Sequence, residues 1–194
     1  MKRGWMAVVC LLLFLPLVKS AAGEDKQKVS FSAKEPVLLT SAGQSADIQM
    51  VKVIMDRLKI GQKFAALAGP GDLQGMGSLV VVIGGSTKGL GAAGLDVDKE
   101  IVRVRQLLDK ARENKSLLIA MHIGGKGRRG ELSDKFIQLV APAASYLIVV
   151  NEGDADGIFT NIASKHKIPM IGVTRISDLK EHLKNIYQKQ GGKP

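Results

Sequence analysis

The sequence predicts an α/β fold: a three-layer, doubly wound parallel sheet of five or six strands, flavodoxin-like or Rossmann-like. Short apolar runs recur along the chain, and they alternate with glycine-rich or polar turns and with stretches of helical spacing. Continuous apolar runs are typical of parallel strands covered on both faces, and right-handed crossovers then place helices on both sides. We expect the flavodoxin order, with the second strand outside the first and the others added on its opposite side.

Apolar runs and helical periodicity locate the elements in chain order. The run at 79–83, Leu-Val-Val-Val-Ile, is the strongest strand signal, and the one at 64–67 is the weakest. Apolar residues recur at helical spacing after most strands, as at Ile48, Val51 and Met55. The predicted strands are 37–41, 64–67, 79–83, 117–121, 146–150 and 170–173, and the predicted helices are 48–58, 97–111, 136–140, 158–166 and 179–187.

The first 22 residues have the three parts of a secretory signal peptide. Lys2 and Arg3 precede a short apolar run at 5–18, and small residues precede an expected cut after Ala22. The run is shorter than the ~20 residues that a membrane-spanning helix needs. We therefore predict a periplasmic or secreted protein with no stable membrane span after cleavage. Behind residues 1–22 we expect a flexible leader at 23–35, a single α/β domain at 36–190 and a loose tail at 191–194.

Cleavage would change the charge and the cysteine content of the chain. Residues 1–22 contain Cys10, the only cysteine of the chain. A mature chain would therefore have no cysteine for a disulfide, for a thiolate nucleophile or for a metal site. Cleavage also removes three positive charges from the formal +10, leaving +7. A basic balance favours anionic ligands or surfaces. We expect no nucleic-acid binding, because the basic residues are not interleaved with aromatic ones.

In a doubly wound sheet, ligands bind beyond the carboxyl ends of the strands, where the winding reverses. This rule predicts a site between the loop after Ser41 and the loop after Ile83, with the loop after Met121 beside them. The predicted ligand-binding residues come from these loops and from the one after the fifth strand: Ser41, Gly43, Gln44, Gly85, Ser86, Thr87, Lys88, His122, Gly124, Lys126, Arg128 and Glu152.

The glycine-rich loop at 84–94 invites a cofactor interpretation. Gly85, Gly89 and Gly91 reproduce the glycine spacing of the cofactor loop in short-chain dehydrogenases. In that family the loop follows the first strand and a Tyr-x-x-x-Lys motif is required, whereas here a strand precedes it and neither Tyr146 nor Tyr187 has a lysine four residues on. We therefore expect no cofactor. The glycines indicate a tight turn in which the backbone approaches another group closely. Two interpretations of this loop are kept: a binding loop and a merely flexible loop.

The two later loops carry most of the charge at this edge. Lys126, Arg128 and Arg129 put three positive charges within four residues, and arginine forks suit carboxylate or phosphate. The Gly-Lys-Ser/Thr ending of a phosphate-binding Walker loop is missing. Acidic residues at 152–156 lack the continuation of a calcium loop, so we expect no metal site. Plain explanations, a solvated turn and helix-capping acids, remain open for both loops.

Four blocks of sequence resemble one family: 37–52, 82–94, 121–133 and 141–153. In them the chain resembles the bacterial exported domain-of-unknown-function family 6305. The resemblance covers most of the predicted mature chain and implies a secreted or periplasmic bacterial domain with no settled activity. It carries over no catalytic residue.

Three functions are consistent with the sequence. The first is a module that binds a small anionic ligand at the carboxyl edge of the sheet. The second is a non-catalytic partner of an envelope protein complex, with the basic loop facing another protein. The third is a hydrolase or transferase that pairs Ser41 or Ser86 with His122 and Glu152. The chain has no Gly-x-Ser-x-Gly motif and no convincing carboxylate pair, so a binding protein is favoured over an enzyme.

Overall fold

The computed structural model describes residue 1 and residues 31–187 of the chain. Residues 2–22 of the predicted signal peptide, residues 23–30 of the predicted leader, residues 188–190 of the predicted domain and the tail at 191–194 lie outside these residues. Six strands form one all-parallel sheet in the order β2-β1-β3-β4-β5-β6. The strands are β1 (Val37–Ala42), β2 (Gln62–Phe64), β3 (Ser78–Ile83), β4 (Leu117–His122), β5 (Tyr146–Val150) and β6 (Met170–Val173).

Helices cover the sheet on both faces, which confirms the doubly wound prediction. The described residues contain six α-helices. They are α1 (Asp47–Arg57), α2 (Thr87–Ala92), α3 (Val97–Glu113), α4 (Glu131–Val140), α5 (Ile158–His166) and α6 (Leu179–Tyr187). The four central strands β1, β3, β4 and β5 bury side chains on both faces, because successive residues point to opposite sides. One core layer joins the sheet to α3, α4 and α5, and the other joins it to α1 and α6.

Three elements differ from the sequence prediction by more than two residues at one end or were not predicted, and the other bounds agree within two residues. β2 ends at Phe64, where 64–67 was predicted, because Ala65 to Ala68 form a turn closed by the Ala68 N–H to Ala65 carbonyl bond (3.0 Å). α4 begins at Glu131, five residues before the predicted start, because its first turn is mostly polar and gives no apolar signal. α2 was expected to be loop, since it contains two glycines, which are poor helix formers.

Residues 31–35, predicted to belong to a flexible leader, pack against the domain. The Phe31 ring stacks on Tyr146 with the ring centroids 4.6 Å apart. The Ala33 N–H donates to the Ile186 carbonyl at 3.0 Å. This part of the predicted leader therefore belongs to the folded unit. Within the described part of the chain, no helix combines the length and the apolar character needed to cross a membrane.

The winding of the sheet reverses between β1 and β3. The chain moves from β1 outward to β2, and then returns to the other side of β1 for β3 and all later strands. The register aligns Ala42 with Ile83, so the two strands end at the same level. The loops after β1, β3, β4 and β5 therefore lie at one edge, as the sequence predicted.

Candidate functional site

The two loops at the point of reversal are bonded to each other. Gln44 and Gly85 form an isolated antiparallel bridge. The Ser86 N–H donates to the Gly43 carbonyl at 2.8 Å, and the Ser45 N–H donates to the Gly84 carbonyl at 3.1 Å. The crevice expected between these loops is therefore closed by the backbone of the chain itself.

The glycines of these loops allow the chain to pack closely against itself. Gly43 has a φ of +94°, and a Cβ there would lie 2.6 Å from the Gly84 carbonyl oxygen and 2.7 Å from the Phe136 ring. A Cβ on Gly85 would lie 2.6 Å from Leu132, and one on Gly89 would collide with the Gln44 carbonyl oxygen. The glycine-rich pattern therefore has a packing explanation that does not require a ligand.

A buried ion pair that the sequence analysis did not single out fixes the β1 loop. The Glu100 carboxylate is fully buried and accepts hydrogen bonds from the Gly43 N–H (3.0 Å) and the Gln44 side-chain amide (2.9 Å). It also accepts from Nε and Nη2 of Arg103 at 2.8 and 2.7 Å. Arg103 in turn donates to the Ser41 carbonyl at 2.6 Å. Gln44 therefore serves the fold, and its amide is directed inward.

The sequence did contain a signal for this pair. Glu100 precedes Val104 by four residues and Leu107 by seven, so it continues the apolar stripe of α3. An acid in such a stripe needs a cation close by, and Arg103 is three residues away on the same helix. The helical periodicity was therefore a signal for a buried carboxylate that our sequence analysis missed, and it carries no information about the partners on β1.

Arg128 forms the second ion pair of the site. Its Nε donates to Oδ2 of Asp47 at 3.2 Å, and its Nη2 approaches Oδ1 at 3.5 Å. The Asp47 side chain is 6% exposed and the Arg128 side chain is 35% exposed. A Cβ on Gly124 would collide with Arg128, so this glycine makes room for the pair. Arg128 thus joins the loop after β4 to α1, while about a third of its side chain stays exposed to solvent.

Arg129 ties the loop after β4 to the loop after β5. Its guanidinium donates to Asp134 at 2.8 and 3.2 Å, and to the Gly153 carbonyl at 2.6 Å. It also makes two parallel bonds of 2.9 Å to Asp156. Hydrogen bonding from Arg129 lowers the pKa of Asp156 to about 2, and the two carboxylates raise the pKa of Arg129. Arg129 is 13% exposed and is occupied by these partners.

His122 lies beneath the edge and has no exposed surface. Its Nδ1 is 3.1 Å from the Ile83 carbonyl and its Nε2 is 3.3 Å from the Gly125 carbonyl. The ring packs against Phe159, and burial lowers its pKa. Both ring nitrogens face backbone carbonyls, so this arrangement presents neither nitrogen to a ligand or to a serine hydroxyl.

The two serines proposed as nucleophiles have different environments. Ser41 is 1% exposed, and its hydroxyl has no hydrogen-bond partner among the described residues. Ser86 caps α2, where its hydroxyl accepts from the Gly89 N–H at 3.0 Å. The remaining predicted side chains, those of Thr87, Lys88, Lys126 and Glu152, are exposed.

Gly85 and Arg128 meet in a small cleft that stays open at this edge. The cleft has a volume of about 200 Å³ and lies between Gly85, residues 127–130 and the first turn of α4. α4 starts after Gly130, which has no side chain to cap the helix. Gly85 is held against the first turn of α4, because its N–H donates to the Ser133 hydroxyl at 2.9 Å. No group of three or more His, Cys, Asp or Glu side chains in residues 31–187 is arranged to hold a metal ion.

Comparison with known proteins places the chain in a family. Residues 34–187 match the family described as a domain of unknown function, DUF6305. The chain belongs to the DUF6305 family. The match covers every strand and helix of the described structure, so the fold described here is that of a DUF6305 domain. No curated protein matches the chain.

Two solved structures show a weak similarity to this DUF6305 domain. One is a GDSL-like lipase from Bacteroides thetaiotaomicron, with 11% sequence identity and a TM-score of 0.34 over 70% of this chain. The chain spans 66% of that lipase, slightly under two thirds. The other is a mutant of the esterase AlinE4, with 13% identity and a TM-score of 0.28 over 84% of this chain and 86% of the esterase. At these scores the similarity carries no argument about activity.

Proposed function

We propose that this DUF6305 protein binds a small anion in the cleft lined by residues 127–130 and the first turn of α4. The observation that carries the proposal is the pairing of an uncapped helix start with a half-exposed arginine. Gly130 offers no capping side chain, and Arg128 lines the same cleft. The proposal narrows the predicted ligand site from the whole sheet edge to one cleft.

The first turn of α4 supplies donors and a favourable potential. The first N–H groups of an α-helix have no partner within the helix, and the helix dipole adds a partial positive charge there. Glu131 also lines the cleft, but its carboxylate is paired with Lys135 at 3.0 Å. The formal net charge, +10 for the whole chain and +7 after the predicted cleavage, favours the approach of an anion.

Arg128 supplies the charged donor. A guanidinium has five N–H donors, and the pair with Asp47 uses Nε and one hydrogen of Nη2. The remaining donors suit the two oxygens of a carboxylate or a phosphate group. The cleft, at about 200 Å³, is smaller than the pockets that enclose drug-sized ligands, so it fits the anionic group rather than a large molecule.

Titration of the protein with inorganic phosphate and with acetate, followed by amide NMR, tests the proposal. We expect the amides of residues 130–133 to shift, with Arg128→Gln weakening the binding about tenfold through loss of a charge-assisted hydrogen bond. Arg105→Gln, an exposed arginine on α3, is the matched control and should bind as the wild type does. The two anions show whether a phosphate or a carboxylate group is preferred.

A second variant separates binding from folding, because Arg128→Gln also leaves Asp47 without its partner. Asp47→Asn removes the competing carboxylate and leaves Arg128 in place, so a folded variant should bind the anion at least as tightly. Unshifted amides at 130–133 in the wild type, or equal binding by wild type and Arg128→Gln, would overturn the proposal.

The other predicted functions receive less support from the geometry. A Ser/His hydrolase needs a histidine nitrogen near a serine hydroxyl, whereas both His122 nitrogens face backbone carbonyls. A role in an envelope complex, with exposed Lys126 facing a partner, stays a prediction. Export with a cut after Ala22 also stays a prediction, because the described residues do not include that segment.

A further inference from the structure

A second pocket lies at the opposite edge of the sheet, where β4 begins. It has a volume of about 430 Å³, within the range of small-molecule sites. Three segments enclose it: the last turns of α3, the start of β4 and the turn at 141–145 between α4 and β5. The sequence analysis predicted no site here, and the pocket shares no residue with the cleft beside Gly85.

One side of the pocket is apolar. Leu108, Ala111 and Leu118 line it with side chains that are 6%, 3% and 3% exposed, and Pro142 faces it from the turn. Leu108, Ala111 and Leu118 belong to the core layer beneath α3 and α4, so their positions are fixed by packing. A ligand with an apolar body would therefore meet a preformed wall.

The other side is cationic and has a free hydroxyl proton. Arg112 and Lys115 line the pocket. Arg112 has one long contact with Asp109 (3.5 Å), and its side chain is 75% exposed. The Ser145 hydroxyl accepts from the Leu118 N–H at 3.2 Å, which leaves its own proton to donate. The described residues that line this pocket include no carboxylate.

We propose that this pocket binds a small amphiphilic carboxylate. Its apolar body would lie against Leu108 and Leu118, and its carboxylate would accept hydrogen bonds from Arg112, Lys115 and Ser145. A guanidinium and an ammonium on one side of an apolar wall match a ligand with one anionic end. Glu113, the acid next to Arg112 in sequence, is held by Lys110 at 3.0 Å.

Calorimetric titration of the full chain with hexanoate tests this assignment. Acetate carries the head group alone, and 1-hexanol carries the apolar body alone. We expect hexanoate to bind more tightly than either, because it alone uses both sides of the pocket. The double variant Arg112→Gln/Lys115→Gln should weaken hexanoate binding about tenfold, as expected for two exposed charge contacts.

Further variants locate the binding and keep the test decisive. Ala143→Leu adds bulk at an exposed position on the wall and should block hexanoate without disturbing the core. Lys180→Gln/Lys184→Gln removes two exposed charges on α6 and should leave hexanoate binding unchanged. Because the cleft at Arg128 is itself proposed to bind a carboxylate group, the hexanoate, acetate and pocket-variant titrations are repeated in the Arg128→Gln background, where only the second pocket contributes. Equal binding of acetate and hexanoate, or wild-type binding by both pocket variants, would overturn the proposal. Loss of binding in Arg128→Gln alone would move the ligand to the other cleft.

Discussion

Gly43 shows at the scale of one residue why the edge of this sheet is rich in glycine. Its φ of +94° lies where side chains are strained, and its missing Cβ leaves room for the Gly84 carbonyl and the Phe136 ring. Gly91, on the nearby helix α2, has an ordinary φ and open space where a Cβ would stand. Gly43 is therefore needed for close packing, whereas the packing around Gly91 would accept a side chain.

The contrast gives a matched pair of variants. Gly43→Ala should destabilise the protein by about 2–4 kcal/mol, because backbone strain and a steric clash act together. Gly91→Ala should stabilise it by about 0.5–1 kcal/mol, because alanine lowers the entropy of the unfolded chain and favours the helix. Urea unfolding measures both, and equal effects of the two substitutions would contradict the packing role of Gly43.

At the scale of elements, the Glu100–Arg103 pair joins three segments. Glu100 binds the loop after β1, and Arg103 reaches the carbonyls of Ser41 and Ala68 at 2.6 and 2.7 Å. The pair therefore fixes α3 against β1 and against the segment after β2. Because both groups are largely withdrawn from water, the loss of either leaves an uncompensated charge.

Glu100→Ala should lower the free energy of unfolding by about 3–5 kcal/mol. Glu100→Gln keeps an acceptor oxygen and the side-chain volume, so its effect should be smaller. Glu113→Ala removes an exposed acid of the same helix and should change stability by less than about 0.5 kcal/mol. Chemical denaturation compares the three variants, and a Glu100→Ala protein as stable as Glu113→Ala would contradict the structural role.

Helix and loop boundaries show how far the sequence could predict the elements. The apolar periodicity predicted α5 and α6 to the residue. In α6 the buried residues run from Leu179 to Tyr187, so the pattern marks both ends of the helix. It missed the first turn of α4, where Glu131 and Asp134 are polar and only the tertiary position of Gly130 starts the helix. That missed turn is the wall of the proposed anion cleft, so the site was the least predictable part of the edge.

At the scale of the whole molecule, acid pH should weaken the fold through its paired carboxylates. Hydrogen bonding from Arg129 holds the pKa of Asp156 at about 2, below its ordinary value of 3.8. A carboxyl whose pKa is lowered by folding stabilises the native state above its unfolded pKa, and this contribution is lost as pH falls through the folded pKa. Asp134 and the Gly153 carbonyl also face Arg129, so the guanidinium keeps partners when Asp156 is protonated.

Thermal unfolding between about pH 4 and pH 2 measures this contribution. The wild type should lose stability across this range more steeply than Asp156→Asn, which cannot titrate at that position. Asp98→Asn, an exposed acid on α3, is the control and should leave the slope as in the wild type. Parallel slopes for wild type and Asp156→Asn would contradict the coupling of Asp156 to the fold.

The sequence by itself determined the layers, the direction of the strands and the edge at which their loops meet. Continuous apolar runs such as 79–83, short and rich in β-branched residues, are typical of a sheet covered on both faces, and chain connectivity then limits the topology. Tertiary structure decided which side chains of that edge are open to a ligand. Gln44 and His122 are polar and follow predicted strands, yet partners distant in sequence, the Glu100 carboxylate and the Ile83 carbonyl, hold them inside. Such partners meet only after the crossovers are made, so local patterns cannot reveal them.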